Sequence, residues 1–275
     1  MSVAPAPPAF DRYLGVDWSG AKGGGNVFVA EVVAARKGHR VERVERSSRA
    51  RVEAELAVPA ARRTLVGLDF CFSFPASFAL GGRDDWTWTE LGVWASSLVG
   101  PDAHADVAHG LAQSRERSQF RLVAGDPAPA LRRRTELACR PLPASVVHVL
   151  PYQRQVCLGS IHGIALLDRQ RGRPGLSVWP FDDPTGADTV VAEVYPAMWV
   201  APGVAKRRPS HRLRQVQEWR TRVGGIDDAI VDLVLDSEDA FDALAVAVAL
   251  PDLALSAPPD VDREGWILGV ELPRP

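Results

Sequence analysis

Two short apolar runs that each end in an aspartate constrain the fold of this 275-residue chain more than any other feature. They are residues 12–17 (RYLGVD) and 65–69 (LVGLD). Runs of this length and composition predict buried β-strands, in which an unpaired ionised group is costly. An aspartate at the end of such a strand indicates either a turn in which the side chain bonds its own backbone or a functional site.

The order of the other predicted elements favours an α/β fold. The predicted strands cover residues 12–17, 27–33, 39–46, 65–69, 176–179 and 190–194. The predicted helices cover residues 51–61, 86–98, 146–171, 208–223, 227–235 and 238–250. The first part of the chain therefore has the order βββαβ, and we predict a mixed sheet that is flanked by helices.

The length permits one large domain with a long insertion. We predict a disordered tail at residues 1–10, which are rich in Pro and Ala and lack the features of a signal peptide. Residues 11–275 form the predicted domain, with a mostly helical insertion at about 72–175, between the fourth and fifth core strands. Because the apolar run at 240–250 is far shorter than the roughly 20 residues that cross a bilayer, no membrane span is expected.

The three cysteines, Cys71, Cys139 and Cys157, form no CxxC pair. Their number and spacing argue against a zinc knuckle and against the disulfide framework of a secreted protein. We therefore expect the protein to be cytoplasmic.

Two further acids lie on one face of the last long helix. Ser237 is a plausible N-cap, and the i, i+3 spacing places Asp239 beside Asp242. Asp239 alone has an equally good explanation as a charge favoured by the helix dipole, whereas Asp242 is surrounded by apolar residues. Two carboxylates about 4 Å apart repel by about 4 kcal/mol at an effective dielectric of 20, so that a cluster needs raised pKa values or a cation. Oxygen ligands favour Mg²⁺ or Mn²⁺.

Five sequence motifs around these acids resemble one known family. They are LGVDWSG with Asp17, VGLDFCFSFP with Asp69, VWPFD at 178–182, AEVYP with Glu193, and SEDAFDALAVAVA with Asp239 and Asp242. They look like the domain-of-unknown-function-429 family, predicted nucleases of the ribonuclease H-like superfamily. The resemblance implies a ribonuclease H-like mixed sheet, with βββαβ followed by αβα. The segment between Cys71 and Gly175 departs from the minimal superfamily core.

The resemblance implies a divalent-metal-dependent nuclease that hydrolyses phosphodiester bonds of a nucleic acid by a two-metal mechanism. Asp17 would bridge two ions that activate a water molecule and stabilise the leaving oxygen. Asp69 and Asp242 would complete the ligand set. Asp239 or Glu193 would be a further ligand or a base that orients the water.

A nucleic-acid partner requires basic residues near the acids, and the formal net charge of -2 permits local basic patches. Lys206, Arg207, Arg208 and Arg212 lie within one short stretch and are predicted to contact phosphates. Taken alone, this stretch is better explained by a solvated helix face. A second basic group lies at residues 132–140.

Two other classes of protein remain open. A non-catalytic nucleic-acid binder or scaffold could have the same fold without the chemistry. An actin- or sugar-kinase-like nucleotide-binding protein would share the first-strand aspartate and a glycine-rich hairpin such as residues 17–26, but it needs two copies of the fold and the sequence shows one. The first test is geometric: a metal site requires the acids to converge within metal-bridging reach, whereas a scaffold need not hold them together.

Overall fold

The structure, a computed structural model, describes residues 10–19, 24–100, 107–121, 132–143, 145–147 and 156–271. Most of the predicted disordered tail, residues 1–9, lies outside these ranges, and Phe10 is buried. A single domain from residue 11 to residue 275 with an insertion at 72–175 stays a prediction. No helix in the described ranges is long and apolar enough to cross a membrane.

Six strands and eight α-helices make up the regular structure of the described residues. The strands are β1 (Arg12–Asp17), β2 (Val27–Ala34), β3 (His39–Ser47), β4 (Thr64–Leu68), β5 (Leu176–Trp179) and β6 (Thr189–Glu193). The helices are α1 (Arg49–Leu56), α2 (Trp88–Val99), α3 (Val107–Gln113), α4 (Arg134–Ala138), α5 (Val156–Gln170), α6 (Pro209–Arg222), α7 (Asp228–Asp236) and α8 (Glu238–Ala249). Of the helix predicted at residues 146–171, the structure shows α5; Val146 and Val147 lie in a turn and are buried, and residues 148–155 lie outside the described ranges.

The strands form one mixed sheet in the order β3-β2-β1-β4-β6-β5. Strands β1, β2 and β3 pair antiparallel, whereas β1, β4, β6 and β5 run parallel to one another. The prediction of an α/β fold with a mixed sheet flanked by helices is confirmed. The register pairs Val16 with Leu68 and Leu68 with Glu193, so that the carboxyl ends of β1, β4 and β6 lie side by side.

Helices cover both faces of the sheet, because alternate strand residues point to opposite sides. Tyr13 of β1 belongs to the core shared with α8, whereas Leu14 and Val16 belong to the core shared with α2 and α5. All α8 residues from Ala240 to Ala249 are buried. Helix α8 is therefore a central core element that brings its two aspartates to the sheet.

The segment after α8 folds back onto the middle of the chain. The Leu268 amide donates to the carbonyl of Glu193 (2.8 Å), and the Ile267 amide donates to Thr135 Oγ1 (2.9 Å). The Glu264 carboxylate accepts the amides of Arg134 (2.9 Å) and Ala76. These bonds join the C-terminal segment, α4 and the end of β6.

Gly15 sets the close approach of α8 to β1. A Cβ atom at Gly15 would lie 2.5 Å from the Ala247 amide nitrogen and still closer to the Ala243 carbonyl oxygen, and neither backbone atom moves without the helix. At Gly67 of β4, a Cβ atom would lie 2.8 Å from methyl groups of Val194 and Val246. These side chains can move aside more easily than the backbone of a helix. The two glycines therefore form a matched pair for testing the packing.

We expect Gly15→Ala to destabilise the protein by about 3 kcal/mol, the upper end of the usual overpacking cost, and Gly67→Ala by about 1 kcal/mol. Urea unfolding followed by circular dichroism measures both values. Equal costs at the two positions would contradict the argument that backbone of α8 limits the space at Gly15.

A half-buried ion-pair network on the antiparallel side of the sheet links stability to pH. Glu31 accepts from Arg12 Nε and from Arg43 Nε, both at 2.7 Å. Burial acts to raise the pKa of Glu31, but the hydrogen bonds and charges of the two arginines outweigh it, so that the pKa lies below its ordinary value. The ionised form is therefore favoured by folding.

Because the folded-state pKa of Glu31 is depressed, its contribution is complete above the unfolded pKa of about 4.3 and disappears as the pH falls through the folded value. We expect Glu31→Gln to cost about 1 kcal/mol at pH 7. The difference in the free energy of unfolding between the variant and the unmodified protein should shrink as the pH falls from 5 to 3. Urea unfolding at several pH values measures it, and a difference independent of pH would refute the linkage.

Candidate metal centre

A cavity of about 1160 Å³ lies where the carboxyl ends of β1, β4 and β6 meet the start of α8. The five acids predicted from the sequence all line this cavity. They are Asp17, Asp69, Glu193, Asp239 and Asp242. They line the same cavity although they are up to 225 positions apart in the chain, but within the described ranges no three of them lie close enough together to hold a metal ion.

Parallel pairing and a helix cap position the acids. The Asp69 amide donates to the Val16 carbonyl (3.0 Å), which holds the end of β4 against the end of β1. On α8, Ser237 Oγ accepts the Ala240 amide (3.1 Å), as predicted for an N-cap. The cap starts the helix so that Asp239 lies in the first turn and Asp242 in the next.

The cluster ranges from buried to exposed. Asp242 is 7% exposed, Asp17 and Asp69 are half-buried, and Asp239 is exposed at the rim. Burial raises the pKa of Asp17 well above its ordinary value. The carboxylates of Asp69, Asp242 and Asp239 raise it further. Repulsion of this kind is relieved when a carboxyl group is protonated or when a cation binds beside it.

One protein cation already lies within the cluster. The Lys206 ammonium forms a salt bridge with Asp242 Oδ2, and the two side chains are only 16% and 10% exposed. The same ammonium lowers the pKa of Asp17, against the larger effect of burial and of the other acids. Lys206 was predicted to bind phosphate with three arginines; that stays a prediction, and the structure shows its ammonium bonded to Asp242.

The three arginines of that predicted group have different surroundings. Arg207 is exposed and lines the cavity, and Arg208 is the exposed N-cap residue of α6. Arg212 also lines the cavity but is buried, and its guanidinium donates to the carbonyls of Lys206 and Leu235. Among the three, only Arg207 both lines the cavity and is exposed, whereas Arg212 holds the surrounding backbone.

Glu193 lies in the cavity wall with both carboxylate oxygens engaged by a buried arginine. Arg133 donates from one terminal nitrogen to Oε2 (2.7 Å) and from the other to Oε1 (2.5 Å). The Phe72 amide also donates to Oε2 (2.9 Å). Arg133 Nε donates to Glu136 (3.0 Å). Glu193 is therefore a fixed, neutralised part of the wall, and its amide bond to Phe72 holds the loop that follows Asp69.

Sequence reasoning did not single out Arg133, which belongs to the basic group at 132–140. Its side chain is fully buried, whereas the neighbouring Arg134 is exposed. The one available signal was Glu193 itself, because a carboxylate in a buried strand requires a cationic partner. That signal does not reveal which of the many arginines supplies the charge.

The chemistry of the donor set fits a hard divalent cation. Four carboxylates supply oxygen ligands of the kind that Mg²⁺ and Mn²⁺ prefer, and the Lys206 ammonium shows that a cation is accepted among them. The side chains as they stand do not form a finished site: within the described ranges, no group of three or more His, Cys, Asp or Glu has metal-holding geometry. Ion binding would therefore require side-chain rearrangement around Asp17.

Comparison of the chain with protein-family models, with curated proteins and with solved structures finds no match in any of the three.

Proposed function

We propose that the protein hydrolyses phosphodiester bonds of a nucleic acid with the help of a divalent cation, Mg²⁺ or Mn²⁺. The observation that carries the proposal is the convergence of Asp17, Asp69, Asp239 and Asp242 in one large cavity at the carboxyl edge of the sheet. Acids on buried strand ends and on a core helix have no evident structural role that would require them to meet there.

We also propose the ribonuclease H-like fold and the family relationship that the sequence motifs suggest. Strands β3, β2 and β1 pair antiparallel and β4 runs parallel to β1, which supports this relationship. Asp17 lies at the end of β1, Asp69 follows β4, and Asp239 and Asp242 lie on α8. The position of β6 next to β4, with β5 at the edge, fits a fifth core strand with an additional outer strand.

Each part of the cavity has a role in this proposal. Asp17, Asp69 and Asp242 would hold a divalent ion, which when bound lowers the pKa of a water molecule and stabilises the charge of the transition state. Asp239, which is exposed, would accept a proton from the attacking water. Arg207 would bind a phosphate of the substrate strand.

At about 1160 Å³ the cavity lies slightly above the usual range of roughly 300–1,000 Å³ for small-ligand pockets, so it would have room for part of a polymeric substrate. Trp18 and Phe70 in its wall are buried and pack against each other with their rings 5.1 Å apart, so they shape the wall rather than offer a stacking surface.

A second candidate is a non-catalytic nucleic-acid binder on the same fold. The salt bridge between Lys206 and Asp242 favours it, because this pair neutralises one acid without a metal ion. The nucleotide-clasp alternative is less favoured, since the described residues form one six-stranded sheet and that class needs two copies.

The test is Mn²⁺ binding by isothermal titration calorimetry, together with cleavage assays on single-stranded, duplex, hybrid and branched DNA and RNA. We expect Mn²⁺ to bind and at least one substrate to be cleaved only with the metal, with EDTA abolishing the cleavage. Protein that binds no Mn²⁺ would overturn the proposal. Metal binding with nucleic-acid affinity, but with no cleavage, would favour the non-catalytic binder.

A further inference from the structure

Two arginines bond the turn that connects β1 to β2. Arg46, near the end of β3, donates from Nε to the Gly25 carbonyl (3.0 Å) and from a terminal nitrogen to Asn26 Oδ1. Arg49, the first residue of α1, donates from a terminal nitrogen to the Ser19 carbonyl (3.2 Å). Two guanidinium groups from different elements therefore lie against one turn.

Neither of these guanidinium groups forms a salt bridge with a carboxylate of the described residues. Their neighbours do: Arg43 pairs with a glutamate at 2.7 Å and Arg51 with another at 3.0 Å. Arg49 is only 9% exposed, and burial lowers its pKa without any opposing effect from a nearby charge. Because a buried charge is stable only beside an opposite charge, Arg49 is suited to contact with an anion.

Gly24 fixes the position of the Arg49 side chain. Its φ is +64°, in the left-handed region that favours glycine, and a Cβ atom there would lie 2.7 Å from Arg49 Nε. The Arg49 amide also donates to the Gly24 carbonyl (3.1 Å). The turn and the start of α1 are thus packed so closely that the guanidinium has a defined place.

The two arginines lie at the same edge of the sheet as the acid-lined cavity. The strand register pairs Asp17 with Phe28 and Phe28 with Arg46. Two strand spacings therefore separate the backbones of Asp17 and Arg46, which is about 10 Å. Ser19, which accepts the bond from Arg49, lines the cavity itself. With a rise of about 3.4 Å per nucleotide, a stacked strand covers 10 Å in about three nucleotides.

We propose that Arg46 and Arg49 form a subsite for a phosphate of the nucleic-acid strand, about three nucleotides from the bond that is cleaved in the cavity. This inference rests on the proposed function and deepens it. A guanidinium binds phosphate oxygens through two parallel hydrogen bonds, whatever the base sequence. The subsite would therefore position the strand along the sheet edge without selecting bases.

The affinity of the full chain for fluorescent single-stranded DNA and RNA, measured by anisotropy in EDTA at several salt concentrations, tests the subsite without reference to cleavage. We expect Arg46→Met to weaken binding about fivefold, the upper end for one exposed ion pair. The slope of log affinity against log salt should become shallower by about 0.7, the value for one phosphate contact on a single strand. Arg49→Met should weaken binding at least as much. Circular dichroism confirms the fold of each variant.

Arg40→Met is the matched control. Arg40 is an exposed arginine of the same strand, but it lies at the opposite end of β3 and pairs with Glu42. Its replacement should leave both the affinity and the salt slope unchanged. Because Arg46 is exposed as well, its variant decides the question even if Arg49→Met does not fold.

The possible outcomes separate this inference from the proposed function. A folded Arg46→Met variant that binds like Arg40→Met would overturn the subsite and leave metal-dependent cleavage standing. Unmodified protein that binds neither strand would also overturn the subsite. So would a nucleoside monophosphate that displaces the labelled strand as well as an unlabelled strand does, because the site would then take a small molecule. Failure of the proposed function is seen elsewhere, as the absence of Mn²⁺ binding in the calorimetric titration.

Discussion

Mn²⁺-dependent cleavage is expected to fall by about 10³-fold or more when Asp17 is replaced by asparagine, which corresponds to a loss of about 4 kcal/mol of transition-state stabilisation. The carboxylates of Asp69, Asp242 and Asp239 all raise the pKa of Asp17. Asp17 is also the last residue of β1, which pairs with the strand that precedes Asp69. The amide side chain has nearly the same shape, but it binds a divalent cation much less well. Calorimetry should show Mn²⁺ affinity falling together with the cleavage rate.

The same substitution should leave the protein at least as stable as before. Burial and three neighbouring carboxylates disfavour the charged form of Asp17, so that a neutral side chain relieves repulsion. A thermal midpoint raised by about 2 °C or more is expected in the absence of metal. Asp236→Asn is the control, because Asp236 is an exposed acid at the cavity rim. Equal losses of activity in the two variants would refute a special role for Asp17.

Arg133→Met is expected to destabilise the protein by about 3–5 kcal/mol, the usual cost of removing one partner of a buried ion pair. Arg133 is fully buried and is the cation for two buried carboxylates, Glu193 and Glu136. Methionine fills much of the same space but leaves both carboxylates without a counter-charge. Urea unfolding measures the cost, and Mn²⁺ affinity should fall as well, since Glu193 holds the loop after Asp69.

Two further variants show whether charge is the cause. The double variant Arg133→Met with Glu193→Gln should regain part of the lost stability, because one buried charge is removed and Glu136 remains. Arg134→Met changes an exposed neighbour and should cost less than about 0.5 kcal/mol. A double variant that is no more stable than Arg133→Met would show that packing, and not charge, accounts for the cost.

The parts of the fold that could be predicted from the sequence are those that local patterns of apolar and capping residues determine. Strands β1, β4 and β6 are continuous apolar runs, and α8 is an apolar helix with a serine cap, so each was found within a few residues of its observed bounds. That the acids line one cavity could be expected from the parallel strands, because the carboxyl ends of parallel strands share one edge of a sheet. Whether the acids bind metal is a question of chemistry that local patterns do not answer.

The remaining features depend on contacts between distant residues. The stretch around α3 and α4 carries no clear periodicity, and these short helices are held by tertiary contacts such as the bond from Ile267 to Thr135. The position of β6 between β4 and β5 in the sheet is set by strand pairing, and the sequence of neither β5 nor β6 carries a signal for it. Arg133 and Lys206 belong to clusters of similar basic residues, and only the folded chain separates the buried cations from the exposed ones.

The return of residues 264–268 onto β6 and α4 has a consequence for the protein during its synthesis. The bonds of this segment to Glu193, Thr135, Arg134 and Ala76 complete the wall around the acids. A nascent chain folds from its N-terminus as it leaves the ribosome, so β1 to β4 are available long before this segment emerges. The acid-lined cavity is therefore completed only after residues 264–268 have been synthesised, long after the strands that carry Asp17 and precede Asp69.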